Sequence, residues 1–399
     1  MKSRLSSQEE KLIQIILDLK QEITALSDFI AKNPELGYQE FKASNKLKKI
    51  LAKNNFKIEE NLAGIETAFR ASYNFRPKIN KAKTGLKIAF LCEYDALPEI
   101  GHGCGHNMIA AMSTGAGIAL SKLKIEIGEI QVIGCPAEET GGAKVQLSQA
   151  GIFSDLDAVM LLHPADQNQV FATTLAIKAI QFNFHGKTAH AAAAPEKGVN
   201  ALSAVIQLFN GLNALREHLR DDARLHGIIS NGGEAANIVP DEAEAKFYFR
   251  ARDKKYLMEI VEKAQNIAQG AALMTGCTLD YQEYENSNDN LKPNRLLADI
   301  FKEKMIAIGI KDIKGPEDHS GSSDMGNVSH IAPAIHPYIK LGDFTGHTRE
   351  LRDATLSSQG HQVLIKGVQS LALTALALFN NPESAAAVRH EFEKQNSKA

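Results

Sequence analysis

Three short apolar runs, at 86–92, 130–134 and 158–163, each stop at a loop carrying Gly or Pro, and helical patterns at 108–123 and 143–150 lie between them. This alternation constrains the chain most. Runs that are short and apolar throughout belong to strands buried on both faces, and strands separated by helices pair in parallel. In such a sheet the loops beyond the carboxyl ends of the strands carry the site. A helical pattern at 8–32, closed by Asn33-Pro34, and a second at 41–52 precede the alternation.

From about residue 175 the rhythm changes. A strand at 175–186, a helix at 199–219, strands at 225–230 and 243–252, a helix at 256–274 and a strand at 277–284 follow. That order, β-α-β-β-α-β, is the ferredoxin-like pattern. A helix at 293–308, a strand at 334–340 and a helix at 357–380 then complete the first domain. A chain of 399 residues is too long for one core. The expectation is an α/β fold: a mostly parallel sheet with helices on both faces, in two parts at 1–174 and 286–399, interrupted by a ferredoxin-like α+β domain at 175–285.

Lys and Arg total 45 against 47 Asp and Glu, a net charge of -2, which excludes a broad nucleic-acid surface. Trp is absent, which disfavours an aromatic-lined polymer groove. Four Cys in this length are no disulfide framework. The first residues lack an apolar signal core, and no run of 18 apolar residues occurs, so neither a secretory leader nor a membrane span is expected. A cytoplasmic protein with reduced thiols is the expectation. No G-x-G-x-x-G follows a first strand, which disfavours a dinucleotide-binding oxidoreductase.

The chemistry gathers after the three apolar runs. Cys92-Glu93-Tyr94-Asp95 and then His102-Gly103-Cys104-Gly105-His106 follow the first. Thiolate and imidazole suit borderline transition metals, although a Cys and a His in a Gly-rich turn also occur as loop detail. Glu138-Glu139 follows the second run; two adjacent acids can divide metal binding from proton transfer, or simply sit solvated at a helix start. His163-Pro164 follows the third. Each fragment alone has a structural reading, but three strand ends offering metal-type side chains together read as a metal site. Further clusters are His185 to Pro195, with His190; Asn237-Ile238-Val239-Pro240-Asp241, with Arg250 and Arg252 beyond; Ser322-Ser323-Asp324-Met325-Gly326-Asn327; and Gly346-His347-Thr348.

In order, E-Y-D-A-L-P, G-H-G-C-G-H-N, P-A-E-E, H-P, H-A-A-A-A-P and N-I-V-P-D resemble the aminoacylase, hippurate-hydrolase and carboxypeptidase-G type of dinuclear metallopeptidase, from about residue 34 to 379. S-D-M-G-N-V-S and I-H-P make the chain most similar to the sub-branch of aminobenzoyl-glutamate hydrolases and β-alanyl-lysine type dipeptidases. The resemblance implies two divalent metal ions per subunit, zinc or manganese, on Cys104, His106, Glu139, His163 and His347. It implies Glu138 as general base to a metal-bridged hydroxide and Asp95 as a support that orients a ligand. His190 would donate to the substrate carbonyl, often across a homodimer made by the inserted lid. Asn237, Arg250 and Asp324 would meet the substrate, with Arg250 pairing its carboxylate. Glu93 stands where Asp is more usual, and Asp324-Met325 replaces a commoner Glu-Asp-Phe; both depart from ordinary N-acyl amino acid specificity.

The implied reaction is hydrolysis of a small dipeptide. An N-acyl amino acid or aminobenzoyl-glutamate is the alternative substrate, and a non-catalytic binding protein on the same fold is the alternative of another class. Cys92, Cys135 and Cys277 read as buried, inert thiols. Glu35 and Glu40 read as caps and pairs. His102, His319, His330 and His336 remain open between loop and substrate roles, and His361 competes with His347 as fifth ligand.

Overall fold

The structure is a computed structural model that describes residues 5–75, 85–315, 317–318 and 321–397. It divides into two compact units, one of residues 1–173, 291–319 and 327–399, the other of 174–290 and 320–326. The smaller unit thus runs to 290 rather than 285 and takes in a short return of the chain that no periodicity announces.

The larger unit is built on a six-stranded sheet, in the order Lys57–Glu60, Phe69–Phe75, Gly128–Gly134, Lys87–Cys92, Ala158–Met160, Ala334–Ile335. The last four pair in parallel. The first two form an antiparallel edge, and Phe69–Phe75 pairs antiparallel with Gly128–Gly134. The central strand Lys87–Cys92 is buried along its last five residues, as an all-apolar run requires. The helix His106–Ser121 is buried on every side, packed between the strands and the helices Lys20–Lys32 and Ser358–Asn380. By length and composition Ser358–Asn380 could cross a bilayer, but 72% of its most apolar window is buried inside the protein, so its apolarity serves the core.

Two expected elements are divided. The helical pattern at 8–32 is two helices, Ser7–Asp18 and Lys20–Lys32, turning at Leu19 although no Gly or Pro marks the turn. The strand expected at 334–340 is Ala334–Ile335 and Tyr338–Lys340, which pair with Ala158–Met160 and His163–Ala165 in different sheets. Pro337 lies between them and offers a carbonyl to His163 N but no N–H in return. His163 therefore opens a second short strand rather than ending the first.

In the smaller unit a four-stranded antiparallel sheet runs Arg224–Asn231, Glu242–Ala251, Ala176–His185, Thr278–Glu283. The helices Ala201–Arg216 and Lys254–Thr275 pack on it, and Phe182, Phe184, Phe247 and Phe249 form its core with Leu208, Ile260 and Ala264. The helices start where the sequence provides caps: Asn200 accepts from Ser203 N and Asp253 from Tyr256 N. The second stops at Gly276, whose φ of 75° few other residues adopt cheaply.

Candidate metal centre

Asp95 and His106 form the base of the site. Asp95 lies just beyond the central strand, and His106 is the first residue of the buried helix. The turn between them needs Gly105: its φ is 82°, and a Cβ there would fall 2.4 Å from Pro164 Cγ. His106 Nδ1 lies 3.0 Å from Asp95 Oδ1 and 3.1 Å from Asp95 O, so it carries the proton and donates. Nε2 is fully buried and without a hydrogen-bond partner. Burial would lower the pKa of the ring, but the charge and hydrogen bond of Asp95 outweigh it and hold it well above the usual imidazole range. Without a cation the ring is therefore charged, and a metal at Nε2 would replace its proton. A carboxylate that orients an imidazole in this way is the usual support of a metal-binding His. The second Asp95 oxygen accepts from Glu139 N at 2.9 Å, so one carboxylate positions two ligand candidates. Burial alone would raise its pKa; the charge and hydrogen bond of His106, with the Glu139 N–H and the Lys144 charge, outweigh this and hold it below the usual carboxylate range.

Glu138 and Glu139 stand on the loop after Gly128–Gly134. Ala137, just before them, has φ 57°, an uncommon conformation for a residue with a Cβ. Its N–H donates to buried Glu40 Oε1 at 2.8 Å, while Thr67 Oγ1 donates to the other Glu40 oxygen. Burial pushes the Glu40 carboxyl up to about 7 even against these donors, and the Asp95 charge adds to the rise. Glu139 spans two imidazoles: Oε1 is 3.8 Å from His106 Nε2, and Oε2 is 3.4 Å from His347 Nε2. Glu139 Oε1 is another buried atom without a hydrogen-bond partner.

The third corner is Cys104 with His163, Sγ to Nε2 3.5 Å. His163 Nδ1 donates to Pro164 O at 2.7 Å, which turns Nε2 toward the thiol as a lone-pair donor. Burial, then the charge of His106, brings His163 down to about 4, so it is an uncharged imidazole at neutral pH. Cys104 keeps some exposed surface, yet burial of its thiol pushes it up to about 12. A thiolate forms at such a position when a cation adjoins it. His347 holds φ 62° and donates its N–H to Gly103 O, which ties it to the Cys104 loop.

The ligand atoms of Cys104, His106 and His163, of Cys104, Glu139 and His347, and of His106, Glu138 and Glu139 form three overlapping groups, each within 4.8 Å. One thiol, three imidazoles and a carboxylate, two of their atoms buried without partners, fit divalent transition metals. The five ligand candidates and Glu138 and Asp95 are thus gathered in one unit. His361 is held elsewhere, its Nε2 2.8 Å from Asp28 Oδ1.

His190, Asn237, Arg250 and Asp324 all belong to the smaller unit. The first two are exposed neighbours: His190 bridges Ile238, and Ala191 N donates to Asn237 O. His190 Nδ1 accepts from Ala192 N and Ala193 N, so its ring proton sits on Nε2. Arg250 donates to Ser322 Oγ at 3.1 Å, and Asp324 is fully buried. His336 is buried with its ring 5.7 Å from that of His163, while His319 lies outside the described residues. Cys92, Cys135 and Cys277 are buried free thiols. Glu35 accepts from Lys42 N and Ala43 N and caps the helix Phe41–Lys53.

Sequence reasoning passed over one pair. Lys144 Nζ lies 2.6 Å from Glu93 Oε1, both side chains sealed from solvent. Burial would raise the Glu93 pKa; Lys144 first, then His106, reverse that and hold it low. The available signal was a lone Lys at the start of an apolar helical pattern, where it must be buried and therefore paired.

The Peptidase dimerisation domain family matches residues 175–273. The chain is 37% identical to the Xaa-Arg dipeptidase of Mus musculus, covering 94% of this chain and 89% of that protein. It is 32% identical to a p-aminobenzoyl-glutamate hydrolase subunit of Escherichia coli, covering 75% of this chain and 65% of that protein. Among solved structures, a dinuclear metal-binding peptidase of the M20 family from Bacillus subtilis shares the fold, with a TM-score of 0.65 at 18% identity, covering 90% of this chain and 99% of that one.

Proposed function

The chain belongs to the M20 family of dinuclear metallopeptidases and amidohydrolases, and on that premise we propose that it is a dipeptidase using two zinc or manganese ions held by Cys104, His106, Glu139, His163 and His347. It is a hydrolase of amide bonds. The observation that carries the division of roles is the placement of Glu139 between His106 and His347, oriented through its backbone by Asp95. With Glu139 committed there, Glu138 is the group for proton transfer.

When bound, the two ions polarise the scissile carbonyl and acidify the attacking water. Glu138 takes the proton of that water and delivers it to the leaving amine. His190 Nε2–H is a donor for the carbonyl oxygen as negative charge develops. Arg250, with a fixed cationic fork, suits the substrate carboxylate, and Asn237 and Asp324 suit its remaining polar groups. The murine relative, an Xaa-Arg dipeptidase, favours a dipeptide ending in arginine. The Escherichia coli relative supports aminobenzoyl-glutamate as the second reading, with an N-acyl amino acid beside it as a substrate of the same bond type. A homodimer is supported by the match to a dimerisation domain, and a cytoplasmic location by four free thiols.

The test is direct. The purified chain is loaded with zinc or manganese, its bound metal is counted, and it is offered Xaa-Arg and Xaa-Lys dipeptides, N-acyl amino acids and aminobenzoyl-glutamate. Two ions per chain and chelator-sensitive cleavage of a basic dipeptide are expected. Activity indifferent to complete chelation rejects the metal reading. Full loading with no turnover on any substrate supports a binding protein instead.

A further inference from the structure

The buried pair of Glu93 and Lys144 has no role in the reading above. Glu93 directly follows the strand Lys87–Cys92, and Lys144 lies in the first turn of the helix Ala143–Gln149. Their side chains are 2% and 0% exposed. Burying a lysine is costly even when it is paired, and an apolar pair of similar volume often holds two elements as well or better. Packing alone is a poor reason for these two residues. The second carboxylate oxygen supplies a better one. Glu93 Oε2 lies 3.6 Å from His106 Nε2, nearer than Glu139 Oε1 at 3.8 Å. His106 Nε2 is fully buried and has no hydrogen-bond partner. By distance to His106 Nε2, Glu93 is therefore placed as Glu139 is, and its carboxylate also lies within 4.8 Å of a Glu138 oxygen.

We propose that Glu93 is a further ligand of the metal centre, with Oε2 turned to the cation on His106 Nε2 while Lys144 holds Oε1. This deepens the metal reading above and rests on it. Lys144 decides which oxygen is presented, and it balances charge. Glu93, Asp95, Glu138, Glu139 and a Cys104 thiolate are together neutralised by two divalent ions only when Lys144 is counted.

Wild type, Glu93→Gln and Lys144→Met are stripped of metal and titrated with zinc(II) and cobalt(II). Bound metal, the visible cobalt spectrum and the melting temperature with and without metal are read. Wild type that binds no metal sinks the metal reading itself, whatever Glu93 does. Wild type that binds two ions lets the variants decide. Glu93→Gln is expected to weaken one of the two sites by about 10- to 100-fold and to shift the cobalt bands. Lys144→Met is expected to widen the gap between metal-loaded and metal-free melting temperatures, because the metal then carries the compensation that Lys144 supplied. Should Glu93→Gln fail to fold, Glu93→Asp keeps the charge and withdraws the oxygen, and the same weakening is expected. Unchanged affinities and cobalt spectra, with melting temperatures lowered equally in both states, would overturn the proposal and leave a purely structural ion pair.

Discussion

His106 and His190 are both proposed to work on the same reaction, and the protein treats them in opposite ways. His106 is fully buried, oriented by a carboxylate, and leaves Nε2 without a partner. His190 is exposed, and its Nδ1 is satisfied by two N–H groups of its own loop. The contrast extends to their units. In the larger, Asp95 and His106 are buried, Cys104, Glu138, Glu139 and His163 are half-buried and His347 is exposed. These groups depend on one another: Asp95 serves both His106 and Glu139, and Cys104 meets His163. In the smaller, His190 and Asn237 stand exposed on loops that are complete by themselves. If a mutually dependent set holds a cation, changing one member is expected to disturb metal, fold and rate together. An exposed, self-sufficient donor can be removed with a loss of rate alone.

The largest expected effect is that of Glu138→Gln, which marks the limit of that contrast, because Glu138 is in the larger unit but is proposed to move a proton rather than to hold the cation. The substitution keeps the shape of the side chain and removes the base, so kcat should fall by about 10²- to 10⁴-fold while metal content stays at the wild-type level. Elemental analysis beside steady-state kinetics reads both. Unchanged hydrolysis ends the assignment of Glu138; loss of metal moves it into the ligand set.

His190→Ala should come next. Removing one donor to a developing oxyanion costs about 10²- to 10³-fold in kcat. Because the residue is exposed, stability should change by no more than about 0.5 kcal/mol, and metal affinity not at all. A melting temperature that falls with the rate would show that His190 holds its loop together, and the contrast with His106 would then weaken.

The two regions also differ in how far they were readable from sequence. Glu138, Glu139 and His163 were visible because each lies within a few residues of an apolar strand end, and Cys104 and His106 because they share the Gly-rich turn that follows the first such end; a parallel sheet collects these ends. The pairing of Glu93 with Lys144 was not, because it is made across space between the first strand end and a later helix. The antiparallel edge was missed for a related reason: Lys57–Glu60 is polar and largely exposed, so no apolar run marks it. The transfer of the chain between sheets at His336-Pro337 left only a proline as its trace. Residues 320–326 join the smaller unit through contacts such as Leu175 N to Gly321 O, which no period encodes.

Glu40 sharpens the comparison through pH. Its carboxyl goes from an ordinary 4.5 to about 7 on folding. Between these values the native chain retains a proton that the unfolded chain gives up. The stability contributed by protonated Glu40 is therefore complete below 4.5 and lost as pH rises through about 7. In metal-free protein, the difference in unfolding free energy between wild type and Glu40→Gln should change by up to about 3 kcal/mol from pH 4.5 to 8, in favour of the variant at high pH. Urea melts across that range measure it, and a flat difference would mean that burial does not govern this carboxyl.

Ala137→Gly should change stability little, because three terms nearly cancel. Glycine relieves the left-handed conformation at φ 57°, a gain of about 1–2 kcal/mol. It loses a fully buried methyl, worth about 0.8 kcal/mol, and adds backbone freedom to the unfolded chain, worth about 0.5–1 kcal/mol. Urea melts should therefore move by no more than about 0.8 kcal/mol in either direction, the sum of these opposed terms. The rate is a separate matter. The Glu40 carboxylate still receives the N–H of residue 137, but the chain just before Glu138 and Glu139 is freer to leave its turn, so kcat should fall with metal affinity nearly constant. A loss of stability above about 2 kcal/mol would show that the turn is held by packing of the methyl rather than by the Glu40 bond. An unchanged rate would show that the bond from Ala137 N to Glu40 positions the two acids without help from the Cβ.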